Sequence, residues 1–253
     1  MKKPMQLLQS LGQVDDTYIT EAAAPRAQSL RRGWLRWGVP AACLALALAI
    51  GIPMLPVWLN RLPLSDGSRN VEVRYVNQVP AGSVSVQSLL EWLSEDELLT
   101  RWNPVLVRGT VRRIRNLEIR FGSTTAHRAL AEIAVETVYR GAVEPGTVIR
   151  VLLPCPVGTG IWVEDTEIVA QMQSGMPGIF ILIDYDDQAI WQQNNGTLKL
   201  SDIADFGLAD GRRFAFLDTS DGLVFARHDY PSLAGATDLD AVERFLLESI
   251  GKH

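Results

Sequence analysis

The chain has 253 residues and a formal net charge of −5, with 24 Lys and Arg against 29 Asp and Glu. The charge is unevenly placed, because residues 1–61 hold seven basic and three acidic side chains, whereas residues 62–253 hold 17 basic and 26 acidic ones. Nucleic acid requires a broadly positive surface, so this acidic balance excludes nucleic acid as an expected partner.

The amino-terminal 37 residues predict a short cytoplasmic tail. Its stretches PMQLLQSLG and DDTYITEAAA each have helical patterning, and the second starts with an acidic N-cap. Helices of this length bury too little surface to be stable alone. Two interpretations stay open: a disordered tail that lies along the membrane, or a docking segment, within residues 1–30, that folds on a cytoplasmic partner protein.

Residues 38–59 form an uncharged, mostly apolar run. As a helix with a rise of about 1.5 Å per residue, this run would be about 33 Å long, which matches a hydrocarbon core of about 30 Å. Trp34, Trp37 and Trp58 flank the run, and tryptophan is favoured at the membrane–water interface. The pattern predicts one transmembrane helix.

A cleaved signal peptide and a buried helix both fit this apolar run less well. A signal peptide normally has a short basic leader, whereas 37 residues precede this run. A buried helix of a water-soluble domain would need a polar face and a shorter apolar stretch. We therefore expect an uncleaved, single-pass anchor in the cell membrane.

Basic residues on the amino side of the run predict its orientation. The positive-inside rule keeps such residues in the cytoplasm, and a long carboxyl-terminal domain is translocated regardless of its own charge. We therefore expect a cytoplasmic N-terminus and an extracytoplasmic C-terminal domain. The residues that carry this prediction are Arg26, Arg31, Arg32 and Arg36.

Beyond the span, we interpret residues 60–70 as a polar linker and residues 71–253 as one extracytoplasmic β-rich domain. VEVRYVNQV predicts the first strand of this domain. SLLEWLSEDELLTRW, residues 88–102, predicts an amphipathic helix. Its apolar side is expected in the core, and this side is formed by Leu89, Trp92, Leu93, Leu98, Leu99 and Trp102.

From Pro104 onward, apolar and polar residues alternate in segments bounded by Gly, Pro or Asp, which is typical of β-strands. Gly109 indicates a bulge of the kind that closing a small barrel requires. FAFLDTSDGLVFAR predicts a hairpin, and TDLDAVERFLLESI predicts a helix with Thr237 or Asp238 as its N-cap. The expected fold class is mainly β with flanking helices (α+β). The other strands are expected within residues 104–121, 127–141, 146–154, 167–172 and 178–185.

Several of these segments resemble a known kind of domain. VRGTVRRIRNLEI, AEIAVETVYRGAVEPGTVIRVLLP and GMPGIFILI are similar to the small OB-like β-barrel of extracytoplasmic proteins from Gram-positive bacteria. The leader, with LLQSLGQVDDTYITEAA and RRGWLRWGVPAACLALAL, resembles the tails of uncharacterised single-pass membrane proteins from clostridia. The resemblance implies one transmembrane helix followed by a small OB-like β-barrel, and it carries over no catalytic residue.

The order of segments also resembles that of membrane-anchored anti-sigma factors. These proteins have a cytoplasmic segment, one span and an outer β-domain. The cytoplasmic segment is shorter here than a sigma-binding domain, which is a departure from that pattern.

Motifs for metal or phosphate binding are incomplete. His127, His228 and His253 lack the spacing of a zinc site, and DYDD, residues 184–187, lacks the Gly and Glu that complete a calcium loop. PVGTGIW has two glycines without the third glycine and the helix of a phosphate-binding turn. We therefore expect no cofactor and no metal.

Nucleophilic catalysis is not indicated either. Cys155 lies between two prolines with no histidine base near it in sequence, and the chain has no G-x-S-x-G motif. Cys43 falls inside the predicted span, so we expect no disulfide between the two cysteines. The sequence predicts no enzymatic activity.

Five arginines lie within thirteen residues of the acidic domain. One interpretation is a patch that binds anionic lipid or an anionic wall polymer beside the membrane. The other is a set of solvated exterior positions whose charge is offset by neighbouring acids. Strand alternation predicts that Arg108 and Arg112 share one face and that Arg120 joins them if the register holds. The cluster consists of Arg108, Arg112, Arg113, Arg115 and Arg120.

Three hypotheses for function follow from these observations. The first is a membrane-tethered, extracytoplasmic binding or sensing module without catalytic activity. The alternative is an anti-sigma-like regulatory protein that couples the outer domain to the cytoplasmic tail. The third is an enzyme whose site is assembled from residues scattered along the sequence.

Overall fold

The computed structural model of the chain describes residues 60–80 and 91–251. The predicted tail, residues 1–37, and the predicted transmembrane helix, residues 38–59, lie outside these ranges. Across the described ranges, no helix has both the length and the apolar character that crossing a membrane demands.

The described chain is mainly β, which confirms the fold class expected from alternation, with short helices beside the strands. Three single 3₁₀ turns occur at Val169–Gln171, Leu200–Asp202 and Pro231–Leu233. The helices are α1 (Glu95–Thr100) and α2 (Leu239–Ile250). The strands are β1 (Val71–Val76), β2 (Val105–Phe121), β3 (Thr124–Arg140), β4 (Val148–Leu153), β5 (Pro177–Asp184), β6 (Ile190–Gln193), β7 (Gly196–Lys199), β8 (Phe206–Gly207), β9 (Ala215–Thr219) and β10 (Gly222–Val224).

Eight strands form one sheet in the order β1-β2-β3-β4-β8-β5-β9-β10. An additional pairing between β5 and β2 turns this sheet round on itself. The neighbours pair antiparallel except β4 and β8, which are parallel. Strands β6 and β7 form a separate hairpin in the connection between β5 and β8.

The long strand β2 is irregular where it pairs with β3. Register shifts lie between Arg108 and Gly109 and between Val111 and Arg113. A bulge is therefore present at Gly109, as predicted, but its extra residue, Glu136, belongs to β3. Val111 and Arg113 pair with consecutive residues of β3, so Arg112 is an extra residue in β2. Such a residue reverses the side to which every later side chain of the strand points.

The buried apolar residues form two clusters, and β2 contributes to both. Val107 and Val111 belong to the larger cluster, which also takes in β3, β4, β5, β9 and α2. Leu117 and Ile119 belong to the smaller one, which is shared with β1 and the β6–β7 hairpin. All four positions are odd-numbered, so a regular strand would put them on one face. The extra residue Arg112 explains why they face two different clusters.

Residues 60–70, expected to be a linker, are part of this fold. Arg69 forms a β-bridge with Thr197 of β7, with backbone hydrogen bonds of 2.8 Å in both directions. The Oγ of Ser68 donates a hydrogen bond of 2.6 Å to the carboxylate of Asp202. These contacts hold the segment against the hairpin and the 3₁₀ turn that follows it.

The helix predicted over residues 88–102 is shorter than expected. Within the described residues it begins after Ser94 and covers Glu95–Thr100. The Ser94 and Glu97 side chains each accept a hydrogen bond from the other residue's backbone N–H, which is a capping box and fixes the start of the helix there. Trp92 precedes the cap and is 85% exposed, so the prediction that it faces the core is wrong.

The strand predicted over residues 167–172 is also wrong. Ile168 and Val169 are adjacent and both buried, a pattern that an alternating strand does not produce. The backbone N–H of Gln171 donates to the carbonyl of Ile168, and that of Met172 donates to the carbonyl of Val169. These local hydrogen bonds form a 3₁₀ turn in place of a strand.

The carboxyl-terminal elements agree with the sequence. β9 and β10 form the predicted hairpin, in which Gly222 has a φ of 106°. Asp238 is the N-cap of α2, because its carboxylate accepts a hydrogen bond of 2.8 Å from the Ala241 N–H. Val242 and Leu246 of this helix are fully buried in the larger cluster.

Candidate functional site

A cavity of about 460 Å³ opens beside the first residues of β3. One wall is the start of β3, residues 124–128, and a second is the loop that follows β4, residues 154–166. The β6–β7 hairpin contributes Trp191 and Gln193, and residues 209–211 complete the lining. The volume is within the range of ligand pockets, about 300–1,000 Å³.

A tight turn positions the hairpin that carries Trp191. Asn194 and Asn195 both adopt positive φ, 45° and 60°, as the two central residues of a type I′ hairpin turn do, and asparagine tolerates this conformation. The Trp191 ring packs against Phe121 at the end of β2, with ring centroids 5.0 Å apart. The indole is therefore held by the smaller apolar cluster while one side of it lines the cavity.

Arg128 is the main positive charge in this cavity. Its Nη1 donates a hydrogen bond of 2.9 Å to the His127 carbonyl, and its guanidinium lies 5.1 Å from the centroid of the Trp191 ring. No carboxylate of the described residues forms an ion pair with Arg128. Burial lowers the pKa of the Arg128 guanidinium, which stays charged at neutral pH.

This arrangement leaves most of the hydrogen-bonding capacity of Arg128 unused. A guanidinium has five N–H donors in a planar fork that matches a carboxylate or a phosphate. The Arg128 residue is half-buried, so its free donors are accessible from the cavity. The unpaired donors of Arg128 beside a cavity therefore indicate a place for an anionic group.

A smaller cavity of about 170 Å³ is also lined by Arg128. Tyr185, which follows β5, lines it, and burial raises the pKa of the Tyr185 hydroxyl to about 12. The ring fits because residue 207 is a glycine, since a Cβ at Gly207 would lie 1.8 Å from the Tyr185 hydroxyl. Arg128 is thus bordered by aromatic side chains in both cavities.

The loop over the main cavity is anchored to the sheet. The Asn116 side chain accepts a hydrogen bond from the Val157 N–H and donates one to the Val157 carbonyl, both of 2.9 Å. Gly158 and Gly160 adopt positive φ, and PVGTGIW is a loop. The same loop contributes Glu164 and Asp165 to the lining of the cavity.

His127 also lines the cavity and contacts an ionic cluster. Its Nε2 lies 3.8 Å from Glu118 and has no hydrogen-bond partner among the described residues. Burial lowers the pKa of His127, and the nearby Glu118 opposes this only in part. Burial also acts to raise the pKa of Glu118, but the hydrogen bond from Arg74 and the charge of Arg120 outweigh it and lower that pKa.

The five clustered arginines of β2 do not form one surface. Counting through the extra residue Arg112 places Arg120 on the face opposite Arg108, so the register expected from alternation does not hold. Arg108 pairs with Asp240 and with Glu243 of α2, at 2.8 and 2.9 Å. Arg115 pairs with Glu132, and Arg120 pairs with Glu118. Arg112 and Arg113 are exposed, with no ion pair to a described residue.

These contacts predict a structural role for Arg108. Replacing Arg108 with Ala removes two ion pairs that hold the first turn of α2, so we expect the free energy of unfolding to fall by about 1 kcal/mol. Arg112→Ala is the matched control and should leave stability unchanged. Chemical denaturation of the full chain measures both variants. Equal stability of the two would contradict the role given to Arg108.

The other candidates from the sequence lie in ordinary structural positions. Asp186 accepts a hydrogen bond from the Gln188 N–H, and Asp187 pairs with Lys199, so DYDD ends in a solvated turn. Cys155 is 1% exposed, and burial raises the pKa of its thiol. Within the described residues, no group of three or more His, Cys, Asp or Glu is placed to hold a metal ion.

Sequence reasoning missed Arg128 and Trp191, the two residues that define the cavity. They are 63 positions apart, and neither belongs to a recognised motif. The turn Asn194-Asn195-Gly196 was an available signal for the hairpin. Nothing in the sequence placed that hairpin against the start of β3.

Comparison of the chain with protein-family models, with curated proteins and with solved structures finds no match.

Proposed function

We propose that the protein is a membrane-tethered, extracytoplasmic binding module whose cavity at Arg128 takes a ligand that carries a carboxylate or a similar anionic group. The observation that carries this proposal is the pocket-lining guanidinium that has no carboxylate partner among the described residues. The tether is the uncharged run of residues 38–59, with the amino terminus in the cytoplasm. No catalytic step is part of the proposal.

The composition of the cavity supports a ligand that is partly apolar. Ile161, Val163 and Trp191 supply apolar surface, and Arg128 supplies the hydrogen-bond donors. An apolar lining with a few polar groups that fix orientation is the usual composition of a small-ligand site. Glu164 and Asp165, which also line the cavity, disfavour a ligand with many negative charges.

The strand arrangement supports an OB-like barrel as the fold. β2, β3, β4, β8 and β5 pair in a circuit of five strands, and OB-folds are five-stranded, partly open barrels. OB-folds bind ligands on the face of their second and third strands, beside the loops after the first and fourth. The counterparts here are β3, β4, the turn after β2 and the connection that contains the β6–β7 hairpin. The start of β3 and the β6–β7 hairpin supply part of the cavity lining, and the loop after β4 and residues 209–211 supply the rest.

A titration with N-acetylphenylalanine tests the proposal. This carboxylate has about 15 non-hydrogen atoms, and at about 0.3 kcal/mol per atom its Kd is expected near 0.5 mM. The full chain is kept in detergent micelles because of its predicted span, and binding is measured by calorimetry. Arg128→Gln should weaken binding about 10- to 100-fold, because hydrogen bonds to a charged group contribute about 1.5–3 kcal/mol.

Arg120→Gln provides the matched control, since Arg120 lies on the same sheet but outside the cavity lining. It should bind N-acetylphenylalanine as the unaltered chain does. Thermal denaturation of Arg128→Gln checks that the fold is kept, which we expect because Arg128 has no ion pair to lose. No binding at about 10 mM, or equal binding by Arg128→Gln, would rule out the proposed site.

A further inference from the structure

The edge of β3 beside the cavity is open. β3 pairs with β2 along its whole length, from Thr124 to Arg140, but β4 pairs only with Ala129–Ala134. The chain leaves the sheet after β4 through Pro154 and Pro156, which have no backbone N–H to continue a ladder. No described strand therefore covers residues 124–128 on this side.

The pairing of β3 shows which backbone groups point toward the open side. The N–H of Val135 donates to Thr147 and its carbonyl accepts from Gly146, both in the segment that leads into β4. Backbone groups alternate between the two sides of a strand, and β3 has no irregularity between residues 124 and 135. The N–H and carbonyl groups of Thr125 and His127 thus point toward the cavity.

The backbone groups of Thr125 and His127 lie next to the charged side chain of Arg128, which favours a ligand with an anionic end. The His127 carbonyl already accepts a hydrogen bond from the Arg128 side chain. The N–H of His127 and the N–H and carbonyl of Thr125 have no hydrogen-bond partner among the described residues on this side. An unpaired strand edge recognises an extended peptide, because the peptide backbone supplies matching donors and acceptors. Arg128 stands at the end of this row, where it can hold a terminal carboxylate.

The charges on the walls favour a peptide over an anionic polymer. The lining that contains Arg128 also contains Glu164 and Asp165, so it is not a positive surface. One terminal carboxylate satisfies Arg128, whereas a chain of repeated negative groups would approach the two carboxylates. A peptide also buries apolar side chains against Trp191 and Ile161.

We infer that the cavity captures the extended carboxyl-terminal segment of a peptide, which adds to the open edge of β3 while its terminal carboxylate pairs with Arg128. This inference rests on the proposed function, and it names the ligand class. Backbone hydrogen bonds from Thr125 and His127 would align the peptide, and Trp191 would contact the side chain next to its carboxylate.

The test compares N-acetyl-Ala-Ala-Ala-Phe as free acid and as amide with N-acetylphenylalanine, on the full chain in detergent micelles. The tetrapeptide acid should bind at least about tenfold more tightly than N-acetylphenylalanine, because several backbone hydrogen bonds are added. Its amide should bind about tenfold more weakly than the acid. The Arg128→Gln variant should bind acid and amide equally.

Methylating the peptide N–H groups one at a time gives a sharper readout. In an added strand, alternate N–H groups point toward β3, so methylation should weaken binding about fivefold at one position and leave it unchanged at the next. Hydrogen exchange should show new protection of the Thr125 and His127 amides. The Ala126 and Arg128 amides face β2 and should change little.

The outcomes separate this inference from the proposed function. If N-acetylphenylalanine binds through Arg128 but the tetrapeptide binds no better, and methylation has no alternating effect, the peptide inference is overturned and the proposed function stands. Tighter binding of oligogalacturonate, a polymer of carboxylates, would also overturn it. If no carboxylate binds, both fall.

Discussion

Replacing Gly109 with Ala should destabilise the protein by about 3–4 kcal/mol, which is among the largest effects expected of a single methyl group. A Cβ at Gly109 would lie 2.3 Å from the carbonyl oxygen of Ala134 and 3.0 Å from the Ile133 side chain. The carbonyl belongs to the backbone of β3, so it cannot move aside without breaking the pairing of β2 with β3. Overpacking at this point strains the bulge that lets the sheet curl.

Thermal denaturation of the full chain measures this effect, and the midpoint should fall by about 10 °C for a domain of this size. Gly235→Ala is the matched control, because no atom lies within 4 Å of the position its Cβ would take. That substitution should change stability by less than about 0.5 kcal/mol. Equal midpoints for the two variants would show that β2 does not approach β3 as described.

Replacing Asp210 with Ala should cost about 3–5 kcal/mol, because it leaves a buried arginine without its counter-charge. Both side chains of the Asp210–Arg213 pair are 6% exposed, and the guanidinium donates from Nε to the carboxylate at 2.8 Å. The other oxygen of the Asp210 carboxylate accepts hydrogen bonds from the backbone N–H groups of Arg212 and Arg213. Asp210→Ala therefore removes both the ion pair and the side-chain hydrogen bonds that hold the turn at residues 210–213.

The surroundings of Arg213 explain why it cannot turn out to water. Its Nη1 donates a hydrogen bond of 2.9 Å to the Glu91 carbonyl, and its own carbonyl accepts one from the buried Tyr230 hydroxyl. Asp187→Ala, at the exposed pair with Lys199, is the control and should leave the midpoint unchanged. The double variant Asp210→Leu with Arg213→Met should recover part of the loss, since no unpaired charge is then buried. A double variant no more stable than Asp210→Ala would contradict the role given to the unpaired charge.

Local sequence patterns predicted several elements because their causes lie within a few residues. Alternation marks β2 and β3, and Asp221-Gly222 marks the last hairpin. The N-cap of α2 depends on the Asp238 carboxylate, which accepts a hydrogen bond from the N–H of Ala241, three residues later. Where two neighbouring signals competed, prediction failed: the capping box at Ser94 starts the helix later than the Trp and Leu stripe predicts.

By itself, the sequence determined the mainly β character, most strand positions and the charge difference between the two parts of the chain, because these depend on composition and on periods of a few residues. The tertiary structure decided which face each residue takes and which distant residues meet. The extra residue Arg112 sends Val111 and Leu117 to different clusters, and the folded sheet brings acids from α2 and β3 to the clustered arginines. The same folding brings Trp191 to Arg128. One added residue reverses a strand without changing its alternation, and contacts across 63 positions leave no periodic trace in the sequence.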